Sequence, residues 1–194
     1  MIKVKQVKIM KDNRLEWSMS GSRKLLATPI FDVLAQDETS ATGINGEYIA
    51  MDAPDWVMVI AEYKGRFVTV RQWRHAAMKL SVEFPGGVAN RGEDPAEAAR
   101  RELFEETGFK AERLIHHGTV NPNPALFKNL FHVYYALDPQ PTGQQELDSD
   151  ELLTYELRAA DEVIDSFGTG EYCHGLMGAA VAFYLRYKSK ENRS

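Results

Sequence analysis

The chain has 194 residues, 44% of them hydrophobic, with a formal net charge of −5 and a single cysteine, Cys173. That length suits one globular domain with a small appendage, and the lack of any basic block excludes the electrostatic footprint of a nucleic-acid binder. One cysteine excludes an internal disulfide, the first ten residues lack the apolar core of a secretion signal, and no stretch approaches a transmembrane helix, so the expectation is a cytoplasmic protein with no membrane contact.

The first fifty residues read as β-rich. Ile2 to Met10 alternates apolar residues with Lys and Gln, the pattern of a half-buried strand. Arg14 to Met19 follows a Lys-Asp-Asn turn, which predicts a hairpin, and Leu25 to Leu34 is a further extended stretch interrupted by Pro29. Asp37 to Gly43 is polar and small and is predicted to be loop. The segment is too thin to fold alone. The predicted boundaries are 1–48 for this segment and 49–194 for the main domain.

From Trp56 the pattern becomes strongly globular. Val57–Ala61 and Phe67–Val70 flank Tyr63-Lys64-Gly65-Arg66, a predicted hairpin. Ser81 to Phe84 is a short strand that enters Pro85-Gly86-Gly87. A helix follows from Pro95, then strands over Leu114–Val120 and Phe131–Leu137. Asp138 to Glu151 is a polar loop, and Leu152–Leu157 is a last strand. Asp161–Phe167 and His174–Lys188 read as helices, the second with Leu176, Ala180, Phe183 and Tyr187 as its core stripe.

The helix after Gly87 carries the chemistry. Asp94 is its N-cap, Pro95 its first residue, Glu97 completes a capping box, and Gly108 closes it. Ala96, Ala99 and Leu103 form a narrow apolar stripe. Glu102, Glu105 and Glu106 fall on one side, since positions i, i+3 and i+4 share an arc. Like charges at that spacing repel, and the expected neutraliser of converging carboxylates is a hard cation, Mg²⁺ or Mn²⁺. Arg101 stands one turn before Glu105 and can pair with it, with Glu93 as a second partner.

The run Gly87, Glu93, Arg101-Glu102-Leu103-Phe104-Glu105-Glu106-Thr107-Gly108 resembles the Nudix box at all seven fixed positions; the departure is Phe109, where an aliphatic is usual. The resemblance covers about residues 50 to 188. It implies an α/β/α sandwich with a mixed β-sheet, to which the N-terminal β-rich segment adds a dimerisation element, so that the protein is a homodimer. It also implies water attack on a phosphoanhydride, assisted by Mg²⁺. By resemblance Glu102, Glu105 and Glu106 are the metal ligands, the Gly86 carbonyl is a further ligand, and Glu93 and Arg101 hold loop and helix in place, within the catalytic set. Arg71-Gln72-Trp73-Arg74, Val82-Glu83-Phe84-Pro85-Gly86-Gly87 and Pro124, fifteen residues beyond Phe109, are similar to ADP-ribose pyrophosphatases and related nucleotide-sugar hydrolases. In that subgroup Arg74 would contact a phosphate and Glu83 would reach substrate or metal-bound water. The ordinary readings of these two are a surface ion pair and a buried structural carboxylate.

The catalytic base is expected in the acidic loop after the box: Glu151, with Asp150 in reserve and Glu105 as a third choice. Trp17 is the candidate platform for a base, against its reading as a core residue. His75, His116, His117, His132 and His174 show no metal-ligand spacing and read as core or surface residues. The substrate expected is ADP-ribose or another nucleoside diphosphate sugar, GDP-mannose being the runner-up. The alternative from another class is a non-catalytic nucleotide sensor, which the intact set of box glutamates disfavours.

Overall fold

The computed structural model describes residues 13–147, 149 and 151–191; the strand expected over Ile2–Met10 lies outside them. The described residues form two compact units. One takes residues 13–53 with Ala125–Lys128, the other Pro54–Pro124 with 129–191.

The first unit is a three-stranded antiparallel sheet in the order β1-β2-β3: β1 Trp17–Ala27, β2 Asp32–Ser40 and β3 Asn45–Asp52. Pro29 falls in the β1–β2 turn. There the Thr28 hydroxyl accepts from the Ile30 and Phe31 N–H groups at 3.2 and 3.0 Å. The loop expected over Asp37–Gly43 is a correction: residues 37–40 belong to β2, which is paired on both sides, Asp37 with Gly21 and Glu47. Backbone pairing on two sides overrides the turn preference of these polar residues. Only residues 41–44 turn, with Gly43 at φ +88°. Ala125–Lys128 adds to the strand end, Met51 N–H donating to Leu126 O at 2.7 Å.

The second unit is a mixed sheet between helices. Its strands are β4 Trp56–Tyr63, β5 Arg66–Arg74, β6 Lys79–Glu83, β8 Arg113–Val120, β9 Phe131–Leu137 and β11 Leu153–Ala159. The order is β11-β5-β4-β9-β8, with β6 pairing β5; β4 and β9 are parallel and the other pairs antiparallel. The short strands β7 Phe109–Lys110 and β10 Gln140–Pro141 pair with each other, so the expected 138–151 loop contains one short strand. The helices are α1 Pro95–Thr107, α2 Ala160–Ser166 and α3 Gly175–Glu191. Among the described residues no helix is long and apolar enough to cross a membrane.

Strand alternation builds two cores. Val57, Val59 and Ala61 of β4 pack with Ala98, Ala99 and Leu103 of α1, while Met58 and Ile60 pack with Met177, Ala180, Val181 and Tyr184 of α3. The α1 stripe therefore buries Ala98 more fully than the expected Ala96. The α3 stripe is likewise turned from the one expected, with Leu176, Phe183 and Tyr187 on its flanks. Helix periodicity placed both faces correctly but missed their centres by about one position, which a stripe roughly 100° wide allows. Phe109 is buried, as expected of an apolar residue closing the box.

One feature of β5 positions the site. Its first half pairs β4 and its second half pairs β6, so the chain leaving β6 runs back along β4. Val59 N–H donates to Pro85 O at 2.8 Å and Val57 N–H to Gly87 O at 2.9 Å. A β-carbon on Gly86 would lie 2.2 Å from the Val57 carbonyl oxygen, so only glycine fits this approach.

Candidate active site

Helix α1 begins as its sequence signals. The Asp94 side chain accepts from Ala96 N–H at 2.8 Å, and Pro95 occupies the first turn. Glu97 does not complete a capping box; its carboxylate pairs with Arg100 at 2.5 Å, one turn on. Gly108 ends the helix at φ +69°, its N–H donating to Phe104 O at 2.7 Å. A β-carbon there would lie 2.3 Å from the Gln144 carbonyl oxygen. The loop after β10 is thus moored to the helix end: Glu146 N–H donates to Glu105 O at 3.0 Å, and the Gln145 amide donates to Glu106 O.

This mooring leads the chain toward Glu151, which lines a cleft of about 540 Å³ with Gln72, Arg74, Gly86, Glu102, Glu105 and Glu106. Glu102 and Glu106 are buried, Glu105 about a quarter exposed. Glu106 accepts from Gly86 N–H at 2.8 Å, and a β-carbon on Gly87 would lie 2.6 Å from the Glu102 carboxyl carbon. The glycine pair is therefore both a tight approach to β4 and the wall against which two carboxylates lie.

Arg101 organises the acids. Its Nη1 donates to Glu102 and Glu105, each at 2.9 Å; Nε donates to Glu93 at 3.2 Å and Nη2 to Val88 O at 3.0 Å. Glu93 is held below the usual carboxylate range by those bonds. The other acids go the opposite way. Burial, reinforced by the neighbouring Glu105 and Glu151, pushes Glu102 up to about 7 despite Arg101. Burial also pushes Glu106 well up, with Glu102 and Glu151 adding repulsion against the Gly86 hydrogen bond.

A second ion pair forms the cleft's other wall. Arg74 donates to Glu83 twice, at 2.8 and 2.5 Å, and Glu83 is only 1% exposed. Burial would raise Glu83, but Arg74 and His174 outweigh it and hold the carboxyl below its ordinary value.

The profile of the NUDIX domain matches residues 51–172, more than half of the chain. The chain belongs to the Nudix family. It is 28% identical over 141 residues to the ADP-ribose pyrophosphatase of Bacillus subtilis (strain 168), covering 72% of this chain and 76% of the relative. It is 33% identical over 113 residues to the methanol dehydrogenase activator of Bacillus methanolicus, covering 57% and 61%. A crystal structure of an ADP compounds hydrolase superposes with a TM-score of 0.79 at 21% identity, over 93% of this chain and 98% of that one, which shows a shared fold.

In this Nudix hydrolase the residues singled out by sequence gather in one cleft as far as Arg74, Gly86, Arg101, Glu102, Glu105, Glu106 and Glu151 are concerned. Glu83 and Glu93 stand behind it as partners of its two arginines. Asp150 lies outside the described residues. Trp17 belongs to the first unit; it is 40% exposed rather than core and meets Tyr48 edge-on at 5.4 Å. The expected convergence of three glutamates is only partly present. Among the described residues no three His, Cys, Asp or Glu side chains are gathered to hold a metal ion; Glu102 and Glu105 both accept from Arg101. The donor set nonetheless fits a hard divalent cation. It is all oxygen, and burial and acidic neighbours oppose the ionisation of its two buried members, a cost that a bound dication would relieve. Sequence reasoning missed Gln72, Val88 and Asn90 in the cleft, residues with no charge pattern to announce them.

Proposed function

We propose that this Nudix hydrolase cleaves the pyrophosphate bond of ADP-ribose or a related nucleoside diphosphate sugar, releasing a nucleoside monophosphate and a sugar phosphate, with Mg²⁺ or Mn²⁺ as cofactor. The observation that carries the reading is the single cleft lined by Glu102, Glu105, Glu106 and Glu151 with Arg74 and Arg101 on its walls. The name of the Bacillus subtilis relative supports the substrate class. Glu102, Glu105, Glu106 and the Gly86 carbonyl would hold the cation, which when bound polarises phosphoryl oxygens and acidifies water. Glu151 takes the proton of the attacking water. Arg74, fixed by Glu83, presents its guanidinium to a phosphate oxygen. Glu93 and Arg101 keep loop and helix in register.

The test is a panel of ADP-ribose, GDP-mannose, UDP-glucose and dinucleoside polyphosphates, assayed with Mg²⁺ and after chelation. Turnover of ADP-ribose or a nucleotide sugar that stops on chelation and returns with Mg²⁺ or Mn²⁺ is expected. Tight binding without turnover of any of them would replace the reading by a sensor.

The protein is further proposed to be a homodimer assembled through the first unit. Its sheet leaves Met19, Leu25, Leu26, Tyr48 and Ile49 more than 40% exposed, apolar surface that a second copy would cover. Sedimentation at micromolar concentration should give a dimer, and removal of residues 1–45 a monomer; a monomeric full chain would end this proposal.

A further inference from the structure

We propose that an apolar cavity beside the acidic cleft receives the sugar half of the nucleoside diphosphate sugar, with Trp56 giving it a ring face and His174 reading one of its hydroxyls. The inference rests on the proposed hydrolysis of such substrates and goes further by placing one half of the molecule.

The cavity is about 240 Å³ and is lined by Trp56, Phe131 and Leu176 on its apolar side and by Arg74, Glu83 and His174 at its polar end. It shares Arg74, Gly86, Gly87 and Val88 with the acidic cleft, so a group joined to a phosphate in the cleft lies directly alongside it. Its volume falls below the roughly 300–1,000 Å³ of sites that enclose a drug-sized ligand, which leaves room for one ring rather than a nucleoside with its phosphates. A sugar ring presents C–H bonds on its faces and hydroxyls at its rim. An aromatic and aliphatic wall with polar groups clustered at one end matches that distribution.

His174 is the polar group at the cavity whose ring makes no hydrogen bond to the described residues. It stands before α3, where its backbone carbonyl accepts from Met177 N–H at 3.0 Å, but its ring does no capping. Nδ1 is covered and has no hydrogen-bond partner among the described residues; it faces Glu83 Oε2 at 3.7 Å, beyond hydrogen-bond distance. Glu83 already receives two bonds from Arg74. The imidazole itself lines the cavity, beside Arg74 and Glu83. An imidazole nitrogen donates or accepts according to its tautomer, and a hydroxyl does both, so the two suit each other. The side chain is about 29% exposed and makes no hydrogen bond to the described residues, so its ring is open to a ligand that enters the cavity.

The test compares the two products, ribose 5-phosphate and AMP, as competitive inhibitors of ADP-ribose turnover. His174→Phe keeps ring and bulk and should weaken ribose 5-phosphate about tenfold, the scale of one lost hydrogen bond, while AMP stays within about twofold. His174→Gln retains a polar group that can donate and accept and should recover most of the loss. Leu176→Phe narrows the cavity with an apolar side chain and should give the same selective loss without touching His174 itself. Equal weakening of both products, weakening of AMP alone, or no change would overturn the placement. Should the wild-type protein fail to turn over ADP-ribose, the proposed function falls separately. Calorimetric titration of the same two compounds in Mg²⁺ then makes the comparison, and absence of ribose 5-phosphate binding overturns the placement too.

Discussion

Glu106→Gln is expected to give a folded protein, more stable than wild type in chelator, whose kcat with Mg²⁺ falls by about a hundredfold or more. Both effects follow from one environment. Glu106 is 3% exposed, and burial together with Glu102 and Glu151 opposes its ionisation. Without a cation the charged form is a burden on the native state, and a neutral amide of nearly the same shape removes it. The amide oxygen can still accept from Gly86 N–H, which now donates to Glu106 Oε2 at 2.8 Å, so the glycine loop keeps its place. What the amide lacks is the negative charge that a divalent cation needs. Circular dichroism, the melting temperature in EDTA and steady-state turnover check the three parts. Near-wild-type turnover would remove Glu106 from the metal set.

The stability of the metal-free protein should fall as pH rises from about 4.5 to 7, and Mg²⁺ should restore it more at pH 7.5 than at pH 5. The sign comes from Glu102, whose carboxyl is raised from an ordinary 4.5 to about 7 by burial and acidic neighbours. Below 4.5 it is protonated in both folded and unfolded chains and costs nothing. Between 4.5 and 7 the unfolded chain sheds the proton while the folded one keeps it, so the unfolded state gains. Above 7 the penalty is complete, at roughly 3 kcal/mol, or about 6–12 °C in melting temperature for a chain of this size. Glu83 and His117 act in the opposite direction. Glu83 is held low by Arg74 and His174 against its burial, so its stabilisation is lost on acidification, and His117, depressed by burial, adds a penalty as the unfolded chain takes up a proton that the folded one resists. The difference between wild type and Glu102→Gln across the pH series therefore isolates the effect. A flat difference would show that Glu102 ionises freely in the fold.

Helix α1 was legible because its information is local. Asp94, Pro95 and Gly108 act within one turn of themselves, and the i, i+3, i+4 spacing fixes the side on which the glutamates stand. The β4–β5 hairpin and the β9 strand were legible for the same reason. What sequence could not supply was who pairs with whom across the sheet. Arg74 and Glu83 are nine residues apart on neighbouring strands, and only the β5–β6 register turns them into a two-bond pair. His174 joins them from some ninety residues downstream and carries no motif. Residues 37–40 look like loop because their side chains favour turns, but a strand paired on both edges needs only backbone. Glu97 had two attractive options, the helix N-terminus and Arg100, and local spacing alone does not rank them.

Arg101 gives the resting enzyme a built-in counter-ion. By holding Glu93, Glu102, Glu105 and the Val88 carbonyl at once, it lets four like-minded acceptors be assembled during folding, before any ion arrives. A dication held by the proposed ligands Glu102 and Glu105 would share them with this guanidinium. Such rivalry would lower the grip on an ion while keeping the carboxylates within reach of one another when none is bound.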